Sequence, residues 1–105
     1  MNYSERFLSG LITARDLGAT SLNCVATLAF LSRRENGCYM AGIARLLKVS
    51  SAAVTATVDT LEGMNFVRRS PVEGDRRQFR ITITAAGRDA MDLILNPKTN
   101  PEKNV

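Results

Sequence analysis

Between Met40 and Thr84 the hydrophobic period of the chain changes in a fixed order. Residues 40–48 place Ile43, Ala44, Leu46 and Leu47 at helical spacing. Ser50 then opens a second helix as its N-cap, with Val54, Val58 and Leu61 at i, i+4 and i+7 on its buried face. Ala52, Ala56 and Asp59 point furthest from that face, and Ala53, Thr55 and Thr60 lie on its flanks. Asn65 stands where the helix should end in a left-handed residue. Residues 66–70 read as a strand, Pro71 to Asp75 as a turn, and residues 77–83 as the return strand. In that last segment Phe79, Ile81 and Ile83 alternate with Gln78, Arg80 and Thr82, so one face is buried and the other wet. Helix, tight turn, helix and hairpin in this order are the sequence form of a winged helix-turn-helix.

The flanking segments read as support for that unit. Residues 2–16 form an amphipathic helix with Phe7, Leu8, Leu11 and Ile12 on one face, Ser4 as its cap and Gly18 as its stop. Residues 20–34 form a second helix capped by Thr20 or Ser21, with Arg33 and Arg34 in its last turn. Glu35-Asn36-Gly37 is a turn, and Cys38-Tyr39 a very short extended link. Thr84 caps a last helix whose apolar face is Ala86, Ala90, Leu93 and Ile94, ended by Asn96-Pro97. The expected fold is therefore mainly α with a small β-hairpin (α+β), in the order α-α-(β)-α-α-β-wing-β-α. Residues 1–96 are read as a single domain with helical dimerisation elements at 2–16 and 84–96, and 97–105 as a flexible tail.

Composition narrows the function. A chain of 105 residues can bury a core without disulfides or metal. It has no histidine, the commonest general base and metal ligand. Cys24 and Cys38 show no CxxC spacing and read as packing thiols. No catalytic residue, metal or cofactor is expected, because no nucleophile has a histidine base and no Gly-rich loop follows a strand. Neither a signal peptide nor a run of 18 apolar residues is visible, so a cytoplasmic protein with no membrane partner is expected. Net charge is +4, of which +3 falls in residues 38–84. Arg68, Arg69, Arg76, Arg77 and Arg80 concentrate it on the hairpin, the footprint of a polyanion partner.

Double-stranded DNA has a physical route to these residues. A helix fits the major groove with its N-terminal residues on base edges. The Ser50 and Ser51 hydroxyls and the first-turn N–H groups can hold a phosphate. Arg76 and Arg77, at the hairpin tip, suit the negative potential of a narrow minor groove.

The wing spacing Asp75-Arg76-Arg77, five residues from Gln78 to Thr82, then Ile83-Thr84 resembles the D-x-R…L-T pattern of the MarR (multiple antibiotic resistance regulator) family, with Ile in place of Leu. Val54, Thr55, Val58, Asp59, Leu61 and Glu62 match that family's V-T-x-x-V-D-x-L-E helix, and Thr84 and Gly87 its T-x-x-G. The resemblance covers about Ala19 to Met91. It implies a homodimeric transcription regulator reading a near-palindromic site. It maps base-reading positions onto Ser50, Ser51, Ala52, Ala53, Thr55 and Ala56, and the minor-groove arginine onto Arg77, its guanidinium held by Asp75. Arg68, Arg69 and Arg80 are read as wing support that adds affinity. A small-molecule effector is the further partner the family implies. The chain departs from the pattern in its short C-terminus, in an expected reduced ligand pocket, and in having no basic residue from Ser50 to Leu61. The last removes the bidentate arginine–guanine contact from the helix, so weak or AT-biased preference is expected.

The reading is a sequence-dependent DNA-binding transcription regulator, a repressor, with helix 50–62 in the major groove and wing 71–78 at the minor groove. It dimerises through Phe7, Leu8, Leu11 and Ile12 of the first helix and Met91, Leu93 and Ile94 of the last. The alternative is a winged-helix protein-interaction module, or a DNA-binding accessory protein without sharp specificity. Release of DNA by an oxidant through Cys24 or Cys38 would mark a thiol-sensing variant.

Overall fold

The structure is a computed structural model describing residues 1–105. Five helices and a three-stranded antiparallel sheet follow one another as α1 (Tyr3–Asp16), α2 (Leu22–Ser32), β1 (Cys38–Tyr39), α3 (Met40–Leu47), α4 (Ser51–Gly63), β2 (Val67–Val72), β3 (Asp75–Ile83) and α5 (Ala85–Leu95). This is the winged helix-turn-helix order, and the short Cys38-Tyr39 link is a true strand. Strand order is β1-β3-β2, with Cys38 opposite Ile81 and Tyr39 opposite Arg80.

The core is built where the helical and strand periods converge. Leu28 and Leu31 of α2, Ile43 of α3, Val54, Val58 and Leu61 of α4, Val67 of β2 and Ile81 of β3 are all buried. Each such side chain contributes roughly 1.5–3 kcal/mol of burial. Thr57 joins them, because its hydroxyl donates to the Ala53 carbonyl (3.0 Å) and so enters the core satisfied. α3 and α4 meet at a bend of 110°, within the range of a helix-turn-helix. Lys48 makes that turn in the left-handed conformation (φ 57°), and Asn65 ends the second helix the same way (φ 62°). No single helix is long and apolar enough to cross a membrane.

Two helix ends and one helix face depart from the sequence expectation. Asn2, not Ser4, caps α1: its side chain accepts from Glu5 N–H (2.8 Å) while the Glu5 carboxylate accepts from Asn2 N–H (3.0 Å). Such a reciprocal capping box satisfies two free donors, which a lone serine cannot. Ser21 caps α2 through Cys24 N–H, and α2 stops early, so Arg33 is its C-cap and Arg34 lies beyond it. In α5 the inward stripe is Gly87, Ala90, Met91 and Ile94 rather than Ala86, Ala90, Leu93 and Ile94. α5 packs against both α1 and α2, and that rotates Met91 inward and leaves Leu93 exposed.

α1 lies on α5 at very close range. A Cβ added to Gly10 would stand 2.6 Å from the Ile94 carbonyl oxygen, so only glycine permits the crossing. Residues 97–105, expected as a loose tail, instead fold back on α1. Ser9 Oγ donates to the Thr99 carbonyl (2.9 Å), the Asn100 amide bonds the Glu5 carboxylate, and Pro101–Asn104 form a 3₁₀ turn capped by Asn100. The same Glu5 carboxylate thus caps α1 and anchors the tail. The backbone N–H of Asn2, and then Asn100, hold its pKa below the usual carboxylate value.

Candidate nucleic-acid interface

α4 presents a small, uncharged outer face. Ser50 caps it, its Oγ accepting from Ala53 N–H (3.2 Å). Ser51, Ala52, Thr55 and Ala56 are exposed, and Ala53 is half-buried against the body. Thr55 donates its hydroxyl proton to the Ser51 carbonyl (3.1 Å), and Thr60 does the same to Ala56. What Thr55 offers outward is therefore a methyl group and oxygen lone pairs. Such a face matches thymine methyls and exocyclic amino donors, and cannot supply an arginine fork.

The wing carries an irregularity that sequence periodicity did not reveal. β2 and β3 pair regularly from Val67–Ile83 to Pro71–Phe79, and the next pair is Val72–Asp75. Arg76, Arg77 and Gln78 therefore have no partners on β2 and bulge out of the ladder, all three exposed. A bulge redirects side chains, and here it leaves two arginines and an amide exposed, with Arg77 and Gln78 on one cleft. Glu73-Gly74 is the connecting turn, with Gly74 at φ 84°. Asp75 stabilises the bulge differently from the expectation. Its Oδ1 accepts from the backbone N–H of Arg77 (3.0 Å), an Asx-type contact. It makes no ion pair within 4.0 Å, so the Arg77 guanidinium is left free.

The five hairpin arginines divide into two groups. Arg69 pairs with Asp59 and with Glu62 (3.5 Å), its backbone N–H bonds Glu62 (3.2 Å), and its guanidinium lies 5.7 Å from the Phe79 ring centre. The two carboxylates of the V-D-x-L-E stretch thus clamp α4 to β2. Arg80 stacks on Tyr39 at 4.6 Å and donates to the Asn36 carbonyl (2.8 Å) and Tyr39 Oη (2.9 Å). Arg68, Arg76 and Arg77 are exposed and have no carboxylate partner. Of the three arginines read as wing support, Arg69 and Arg80 hold the wing to the body, and Arg68 is left exposed. Arg45 and Lys48, which the sequence reading did not single out, are exposed on α3 and in the turn before α4. Their positions in the first helix and turn were the available signal.

A cleft of about 390 Å³ joins these parts. Ser51 and Thr55 of α4 and Arg77 and Gln78 of the bulge line it together, so helix and wing flank one groove.

The α1–α5 end is apolar. Phe7 is 69 % exposed, and Leu8, Leu11 and Leu93 are also open, whereas Ile12 is half-buried. Met91 and Ile94 are buried within the protomer. Of the seven residues expected at a subunit contact, those two serve the core of the single chain, and both also line a cleft of about 300 Å³ with Tyr3, Phe7 and Leu11. Leu95, also exposed, lines the same cleft and extends the apolar surface.

A family model described as "MarR family" matches residues 21–79. The HTH-type transcriptional regulator PecS of Dickeya dadantii is 27 % identical over 104 residues, covering 96 % of this chain and 60 % of that relative. The chain thus spans about three fifths of that relative's length. The fold is similar to that of a point mutant of Staphylococcus aureus MepR bound to an oligodeoxyribonucleotide, at TM-score 0.75 and 19 % identity, covering 96 % of this chain and 80 % of that one. It is also similar to the YusO protein of Bacillus subtilis, at TM-score 0.74 and 24 % identity, covering 89 % and 64 %.

Proposed function

The chain belongs to the MarR family, and from that premise we propose that it is a dimeric, double-stranded-DNA-binding transcription regulator acting in the cytoplasm as a repressor. α4 enters the major groove, with Ser51, Ala52, Thr55 and Ala56 toward base edges and the Ser50 end near a phosphate. Ala53 is half-buried and supports that surface from behind. The wing bulge lies at the adjacent minor groove, where Arg76 and Arg77 meet the concentrated negative potential. Lys48 and Arg68 add backbone contacts. Repression follows from occupying promoter DNA.

The observation that carries this reading is the shared groove, in which an uncharged helix face and the unpaired, bulged Arg77 sit side by side. Affinity would come chiefly from the arginines and discrimination from methyl contacts and DNA shape. The apolar α1–α5 surface supplies the second copy's seat, through Phe7, Leu8, Leu11 and Leu93. A similar fold, CouR of Rhodococcus jostii, is described as bound to p-coumaroyl-CoA. A small-molecule effector that shifts the dimer's geometry is part of the proposal for this chain.

Fluorescence anisotropy with a labelled duplex tests it. Binding at low salt that weakens steeply as salt rises supports the reading. Absence of duplex binding, with a single protein partner retained at high salt, would establish the interaction-module alternative instead.

A further inference from the structure

We propose that the cleft between the end of α2, β1 and α3 is an oxyanion site, in which Arg34, Arg45 and Arg80 hold a phosphate or carboxylate group. This cleft, of about 560 Å³, is lined by three arginines and by no carboxylate. None of the three has an acidic partner within 4.0 Å, and Glu35, next to Arg34 in sequence, is exposed and outside the lining.

Two of the guanidinium groups are held on aromatic faces. Arg34 lies over Phe30 at 4.5 Å and Arg80 over Tyr39 at 4.6 Å, which holds each plane against a ring. Arg80 is further fixed by donation to the Asn36 carbonyl and Tyr39 Oη. Two of its five N–H donors are used, and three remain for a ligand. A planar fork already oriented this way binds carboxylate or phosphate oxygens with little further ordering. Three like charges around one concavity also repel each other, and an entering anion relieves that repulsion. The cleft is separate from the α4–wing groove and shares only Tyr39 with it. The same oxyanion chemistry has two sources: a backbone phosphate of a bound duplex, or a free small anion.

The test uses the full chain without DNA. Inorganic phosphate is titrated against sodium chloride of equal ionic strength while ¹H–¹⁵N NMR follows the Gly37, Cys38 and Gly42 amides and the Arg80 Nε. Saturable shifts at these groups are expected with phosphate only, and an apparent affinity at least about tenfold weaker in Arg45→Gln and in Arg34→Gln, the lost arginine being one of the charge-assisted hydrogen-bonding partners. No shift, an equal shift with chloride, or a response unchanged in both variants would overturn the site. A second arm adds a short duplex. If the duplex moves the same resonances and abolishes the phosphate response, the source is the DNA backbone, and Arg45→Gln lowers the salt slope by about 0.9 per protomer. If phosphate still binds to the DNA complex, the source is a free anion. The first arm contains no DNA, so its outcome is independent of whether the chain binds duplex.

Discussion

Replacing Arg77 and Arg69 separately by glutamine removes the same charge from one hairpin, yet the two variants should behave oppositely. Arg77 sits exposed in the bulge with no carboxylate partner. Its loss removes one phosphate neutralisation per protomer, which lowers the slope of log K against log salt by about 0.9, or about 1.8 for a dimer. Between 50 and 200 mM salt, the ratio of wild-type to variant affinity should therefore fall by about 12-fold for the dimer. Folding stability should change by less than about 0.5 kcal/mol, as for an exposed side chain away from packing. Arg69 is the contrary case, with a side chain only 20 % exposed between Asp59 and Glu62. Those carboxylates are themselves partly solvated, so the clamp contributes about 1–2 kcal/mol rather than the larger figure of a buried pair. Arg69→Gln should lower the unfolding free energy by that amount and leave the salt slope unchanged. Anisotropy titrations across salt and urea unfolding read both quantities. A slope loss for Arg69→Gln equal to that for Arg77→Gln would refute the division of the wing arginines.

Three further outcomes follow from the same geometry. Thr55→Ala should alter the preferred bases in a selection experiment more than the total affinity, because the side chain offers a methyl group and lone pairs but no charge; an unchanged preference would remove Thr55 from base reading. Phe7→Asp should convert the dimer to a monomer in sedimentation while the far-ultraviolet spectrum is kept, since Phe7 is exposed in the single chain; an intact dimer would place the contact elsewhere. The tail should detach in acid. The folded pKa of Glu5 is depressed, so its stabilising contacts are present above the unfolded pKa and fade as pH falls through the folded one, below the usual carboxylate range. Amide protection at residues 99–104, corrected for the intrinsic exchange rate, should fall there, and Glu5→Gln should flatten that pH dependence; protection that ignores pH in the wild-type chain would contradict the anchor.

The element order, the Ser50 and Thr84 caps and the left-handed Asn65 were readable because each rests on local spacing or a single residue's chemistry. Asn2 was missed as a cap because Ser4 is also a good capping residue, and only the pairing with Glu5 decides between them. The Leu93–Met91 exchange on α5 depends on two helices packing against it, which one helix's periodicity does not encode. The wing was the least readable part. The sequence set Arg76 and Arg77 at the tip apart from Arg68, Arg69 and Arg80 as support, but could not tell clamped Arg69 from exposed Arg68, because Asp59 and Glu62 reach Arg69 across ten and seven residues. The bulge at Arg76–Gln78 likewise needs the register of the opposing strand.

Whether two copies of α4 occupy successive major grooves is decided by their separation on DNA. A nitroxide placed through Thr60→Cys, exposed on α4 outside the base-facing residues, in a chain carrying Cys24→Ala and Cys38→Ser, allows pulsed dipolar spectroscopy on the duplex complex. The distance distribution should centre near roughly 34 Å, one turn of DNA, broadened by the two label tethers. The absence of dipolar modulation, or a separation unrelated to a helical turn, would contradict a dimer that places α4 in successive major grooves.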